Sequence, residues 1–212
     1  MNRLMYVISG WLLCVTAFAQ GAYQPATEVQ KKEIIDTITE ASKAMRTMKC
    51  DFTQEKELSF MNEKVTSEGI MLYKQPDKIR WEYTKPIAYV FAMDGKTIFM
   101  DSGGNQSRIP ARSSTLFSGI SDIIIGGVSG TGLIDSPDFT TQFAVGTTYY
   151  RVTLTPLKKE IQDMFATIQL YVNKTDSRIN EVELIEKGGD KTLIRLRNTQ
   201  INVTVNDEIF SR

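Results

Sequence analysis

Gly69–Gly95 reads GIMLYKQPDKIRWEYTKPIAYVFAMDG, and its punctuation decides the fold. Gln75-Pro76-Asp77 and Thr84-Lys85-Pro86 interrupt it twice. Proline cannot donate to a strand ladder and restricts the residue before it, so both tripeptides predict turns. Between them, Lys78-Ile79-Arg80-Trp81-Glu82-Tyr83 alternates charged and apolar residues without a break. A period of two sets Ile79, Trp81 and Tyr83 on one face of a strand and Lys78, Arg80 and Glu82 on the other. An antiparallel sheet with one wet face and one apolar face satisfies that pattern. The large size of the apolar residues is the first clue to function.

The strand rhythm continues on both sides. Cys50 to Leu58 alternates around Phe52, and Val65 to Tyr73 carries Gly69 where a bulge or bend is expected. Tyr89 to Met93 is apolar on both faces, which leaves its inward side open. Asp94-Gly95 predicts a hairpin into Thr97 to Met100, and a further short strand ends at Pro110. Thr140 to Val145, Tyr149 to Thr155, Met164 to Val172, Ile179 to Ile185 and Thr192 to Thr199 follow as a meander. About eleven strands is near the size at which an open sheet must curl. The tail from Ile201 is expected to tuck Val203, Val205 and Phe210 against the sheet edge.

Two segments keep helical spacing instead. Thr27 to Met48 opens with a Thr27/Gln30 capping box and lines up Ile34, Ile38, Ala41, Met45 and Met48. Ser113 to Gly127 spaces Leu116, Phe117, Ile120, Ile123 and Ile124 on one face before Gly126-Gly127 stops it. Either helix reads as ordinary cover for a sheet or as a lid over a cavity; periodicity does not separate the two.

Residues 1–19 read as a secretion signal: Arg3, a mostly apolar run from Leu4 to Phe18, and Ala17-Phe18-Ala19 before Gln20. Residues 20–212 then form a single domain. Removing the leader takes away only Arg3 among the charged residues, leaving 24 basic and 25 acidic ones. No basic excess exists for nucleic acid or an anionic membrane. Cys50 alone remains of the two cysteines, so no intrachain disulfide is expected, which suits a bacterial periplasm. The chain has no histidine, which removes the commonest general base and metal ligand. The glycine-rich run from Gly119 fits no phosphate or dinucleotide loop. The expectation is a non-enzyme with no catalytic residues, no metal and no cofactor.

The pattern of Gly69, an apolar run, Pro76-Asp77-Lys78-Ile79-Arg80-Trp81-Glu82-Tyr83, Pro86 and Asp94-Gly95-Lys96 resembles the LolA-type periplasmic lipoprotein carriers. Phe52-Thr53-Gln54, the secretion signal and the order of later elements extend the resemblance over nearly the whole mature chain. It implies an α+β fold: a curved antiparallel sheet of about eleven strands, forming an unclosed half-barrel covered by a helical lid. It implies a carrier that accepts acylated lipoproteins from an inner-membrane ATP-driven transporter and ferries them to the outer membrane. An outer-membrane acceptor would be a further partner, nucleic acid would not, and a monomer is expected. Carried over residue by residue, Phe52, Met71, Tyr73, Ile79, Trp81 and Tyr83 would line the acyl cavity. Leu116, Ile120 and Ile124 would face it from the lid. Many members have an arginine before the motif's proline that latches the lid backbone; here that position is Gln75, which keeps a donor and an acceptor but loses the charge. Lys74 and Arg80 are the alternative latch residues.

A cavity of methylene-reading walls suits such cargo, since each buried CH₂ contributes about 0.8 kcal/mol and a chain of roughly fifteen carbons on the order of 10 kcal/mol. It does not read headgroups. A carrier of another lipid or glycolipid, or a lipid- or partner-sensing module without transport, therefore stands beside the lipoprotein carrier.

Overall fold

A computed structural model describes residues 23–211 except 61–62, 112–125, 127–133 and 135. The expected leader over residues 1–19 and the lid residues Leu116, Ile120 and Ile124 lie outside the described residues. In chain order the elements are β1 (Gln24–Pro25), α1 (Glu28–Ala44), β2 (Thr47–Glu57), β3 (Lys64–Lys74), β4 (Lys78–Lys85), β5 (Tyr89–Asp94), β6 (Thr97–Ser102) and β7 (Asn105–Pro110). After them come β8 (Phe139–Val145), β9 (Tyr149–Pro156), α2 (Lys159–Gln162), β10 (Phe165–Asn173), β11 (Ile179–Glu186), β12 (Lys191–Ile201) and a 3-10 turn, Asp207–Phe210.

All strands join one antiparallel sheet in the order β1-β8-β9-β10-β11-β12-β2-β3-β4-β5-β6-β7. Among the described residues no pairing joins β1 to β7, so the sheet is an unclosed half-barrel in an α+β fold. It has twelve strands where the sequence predicts about eleven. The extra one is β1, a two-residue strand that pairs with Ala144 and Val145 and is too short to leave a periodic signal.

The capping box at α1 forms as the sequence predicts: Gln30 N donates to Thr27 Oγ1 (3.3 Å) and Thr27 N to Gln30 Oε1 (3.0 Å). The helix ends earlier than its apolar stripe, at Ala44, and Met45 is already extended (φ −96°, ψ 104°). Met48 belongs to β2. There it continues the alternation of Cys50 and Phe52, so the period of two outcompetes the coincidental helical spacing.

One face of the sheet carries the apolar interior. On its β8–β11 half, Ile34 and Ile38 of α1 pack with Phe143, Val152, Leu170 and their neighbours. On the β2–β6 half, Met45 and Met48 join Phe52, Met71, Trp81 and Ile98. The tail also departs from expectation: it crosses the outer face rather than capping an edge. Its 3-10 turn lies over β4 and β5, and Phe210 is fully buried there.

Candidate functional site

The site is built on a bulge. Pairing of β3 with β4 slips between Glu68 and Gly69, and Gly69 then faces Tyr83 on one side and Phe52 on the other. A Cβ at Gly69 would stand 2.0 Å from the Glu82 carbonyl oxygen and 2.6 Å from the Phe52 ring. Only glycine lets the ring of Phe52 close over the strand at this point. The Phe52 ring meets Trp81 at 4.7 Å and Tyr83 edge-on at 5.1 Å, centroid to centroid.

The antiparallel register carries that row across the sheet. Met71 pairs with Trp81, Tyr73 with Ile79, and Cys50 with Met71. Six of the expected site residues, Phe52, Met71, Tyr73, Ile79, Trp81 and Tyr83, therefore gather in one apolar cluster on the inner face. Register also answers what β5 alone leaves open. Tyr89, Phe91 and Met93 lie opposite Tyr83, Trp81 and Ile79 and share their face, while Ala92 faces out toward the tail side. The hairpin through Pro86 holds that signal, because a known inward residue on one strand dictates its partner on the next.

The inner face changes character along its length. At the start of β2 it is closed by Met45, Met48, Tyr73 and Ile79, all buried. Toward the end of β2 it turns polar. Tyr83 Oη donates to Gln54 Oε1 (2.9 Å), and beyond it Lys56 pairs with Glu186 (2.9 Å). Burial pushes the Tyr83 phenol above its ordinary pKa, with the nearby Trp81 N–H and Gln54 opposing the rise. Although Trp81 Nε1 is near enough to Tyr83 to act on it, it makes no hydrogen bond of acceptable geometry and is buried without a partner among the described residues. Cys50, 1 % exposed, has its thiol pushed up to about 12 by burial and stays a packing residue.

Gln75 engages α1. Its Nε2 donates to the Ser42 carbonyl (3.0 Å) and its backbone N to Arg46 O (2.9 Å). Asn202 adds a bond from Nδ2 to Ala44 O (3.1 Å), so two of the terminal carbonyls of α1 are satisfied from outside the helix. Lys74 and Arg80 bind the tail instead: Lys74 Nζ donates to Asp207 (2.5 Å) and Arg80 Nη1 to Ile209 O (3.1 Å). Lys78 completes the clamp on Asp207 (2.8 Å), and the two ammonium groups hold that carboxyl down at about 2.

No described group of three or more His, Cys, Asp or Glu residues is placed to hold a metal ion. No helix among the described residues is long and apolar enough to cross a membrane.

A family model described as outer membrane lipoprotein carrier protein LolA matches residues 43–212. The chain belongs to the LolA family. The match covers every site-bearing strand from β2 onward and begins within α1. No curated protein matches the chain. Among solved structures, an uncharacterized conserved protein from Thermus thermophilus aligns with a TM-score of 0.51 at 12 % identity, over 86 % of this chain and 93 % of that one. A LolA superfamily protein from Nitrosomonas europaea gives 0.48 at 13 % identity, over 86 % and 97 %. The Mycobacterium tuberculosis lipoprotein LppX gives 0.47 at 12 % identity, over 85 % and 100 %. The first of these likenesses concerns the fold, and at such identities none carries a ligand across.

Proposed function

We propose that this LolA-family chain is a periplasmic carrier that shelters the acyl chains of lipoproteins and moves them from the inner to the outer membrane. The observation that supports it is the inner-face cluster of Phe52, Met71, Tyr73, Ile79, Trp81 and Tyr83 on a sheet that does not close. A closed barrel seals its interior with its own strands, whereas a half-barrel needs a separate cover and can exchange that cover for cargo. Helix α1 is one such cover, held at its C-terminal end by Gln75. In this reading Leu116, Ile120 and Ile124 supply the other, and Gln75 takes the place of the family's latching arginine. The carrier works as a monomer, receives cargo from an ATP-driven transporter in the inner membrane, and delivers it to an outer-membrane acceptor. It performs no catalysis and uses no cofactor.

Mass spectrometry of the species that co-purify with the protein from native periplasm tests this. Acylated protein on the wild type, absent from Trp81→Glu, is the expected result, because a carboxylate placed among the rings opposes acyl binding. Free glycolipid would replace the cargo class while keeping the site. A stoichiometric protein partner with no lipid would make the chain a sensing module and overturn the carrier.

A further inference from the structure

Resting on the acyl-binding reading above, we infer that the Trp81 indole N–H anchors the ester or amide carbonyl of the bound acyl chain, with the headgroup directed past Gln54 and Lys56. Trp81 is 7 % exposed and lies in the middle of an apolar cluster, yet its Nε1 has no partner among the described residues. A buried donor left unmade is costly, and native structures rarely keep one without a use. Tyr83 Oη donates its hydrogen to Gln54 and keeps lone pairs that could accept, but the indole N–H does not reach them in hydrogen-bond geometry.

The position of this donor matters as much as its lack of a partner. Trp81 sits on the row next to Tyr83, where the inner face passes from apolar to polar. On one side lie Met48, Tyr73 and Ile79, closed over by the end of α1. On the other lie Gln54 and then the Lys56–Glu186 ion pair, each of whose side chains is about one third exposed. An acylated glyceryl group has that same order: hydrocarbon, then carbonyl, then polar headgroup. Alignment of the two sequences of polarity puts the carbonyl at the indole N–H and the headgroup at the polar mouth. A pure hydrocarbon would leave the donor unsatisfied, so the site discriminates acyl from alkyl chains.

The test uses a synthetic lipopeptide with ester-linked palmitoyl chains and its ether-linked analogue, which lacks those carbonyls. Wild type is expected to bind the ester about five-fold tighter, the fold-change that corresponds to the net ~1 kcal/mol of a neutral hydrogen bond. Trp81→Phe keeps a ring but no donor, and should bind both alike. A second measurement needs no variant. Trp81 is the sole tryptophan of a chain beginning at Gln20. Acyl chains brominated beside the carbonyl should quench its fluorescence more than chains brominated near the methyl end. The same ester and ether pair on a phosphoglycerol headgroup separates a lipoprotein source from a phospholipid one, the tighter ester naming the source. Equal affinity of wild type for ester and ether, a preference that survives Trp81→Phe, or stronger quenching by the methyl-end bromines overturns the anchor while leaving acyl binding intact. Failure of wild type to bind any of the probes overturns acyl binding itself, and the anchor with it.

Discussion

Gly69→Ala is the smallest change that tests how the inner face is built. The added methyl would stand 2.0 Å from the Glu82 carbonyl oxygen, and a real Cβ essentially never comes closer than 3.0 Å. The nearest atom is backbone, so it cannot swing away as a side-chain tip does. Strands β3 and β4 must separate at the bulge, or the Phe52 ring, 2.6 Å away, must move as well. Overpacking of this kind costs about 1–3 kcal/mol, and one weakened ladder hydrogen bond adds about 1 kcal/mol. At about 2–4 °C per kcal/mol for a chain of this size, a total near 3 kcal/mol lowers Tm by roughly 6–12 °C. Thermal unfolding followed by Trp81 emission reads the stability, and the emission wavelength of the folded protein reads whether the Phe52–Trp81 contact has opened. Gly69→Ala combined with Phe52→Leu should recover little, because the carbonyl contact remains. A Tm within about 2 °C of wild type, or full rescue by Phe52→Leu, would refute the backbone clash as the reason for glycine.

Two further outcomes follow from the ends of the site. Gln75→Ala removes the bond to Ser42 O and should lower stability by about 1 kcal/mol while raising the binding of an apolar dye to the inner face; Gln75→Arg, with a charge-assisted bond, should lower dye binding and raise Tm. Equal dye binding in all three proteins would show that this position does not hold α1 down. Asp207 titrates at about 2 in the folded protein against an ordinary 3.8. A depressed carboxyl stabilises the folded state above its unfolded pKa, and that stabilisation fades as pH falls from about 4 to about 2. The Tm difference between wild type and Asp207→Asn should therefore be constant above about pH 5 and shrink steadily as pH falls from about 4 toward 2; a difference that does not change over that range would mean the clamp is not the Lys74–Asp207–Lys78 ion triad.

Much of this architecture is written in short-range pattern. The unbroken alternation from Lys78 to Tyr83 defines β4, its inward face and, through the flanking turns, its two neighbours. The Thr27/Gln30 box marks the start of α1 to the residue. What short-range pattern does not carry is whatever depends on partners distant in sequence. Helical spacing overruns the end of α1 because Met48 fits both periods, and only the pairing of β2 with β3 and β12 chooses between them. The apolar residues of the tail point to an edge, yet Lys74, Lys78, Arg80 and Arg108 draw it over the outer face; their charges alternate along strands and give no hint of a common ligand. The polar mouth is likewise hidden, since Gln54, Lys56 and Glu186 look like ordinary surface residues until register sets them on the inner side. The bulk of Trp81 is plain in the sequence, whereas the unpaired N–H is a three-dimensional fact.

The central position of β12 in the sheet sets the order in which the molecule can assemble. Among the described residues, strands β2–β7 and β8–β11 are two meanders joined in the sheet only through β12, the last strand, whose Arg195 binds Glu55 across a separation of 140 residues. Such non-local closure makes folding slow and leaves both half-sheets with an open seam until synthesis is complete. A chain passing through a membrane from its N-terminus thus cannot lock into its final shape ahead of its own C-terminus. Under the periplasmic reading proposed above, in which the chain is exported, this topology would keep the polypeptide threadable until β12 has crossed.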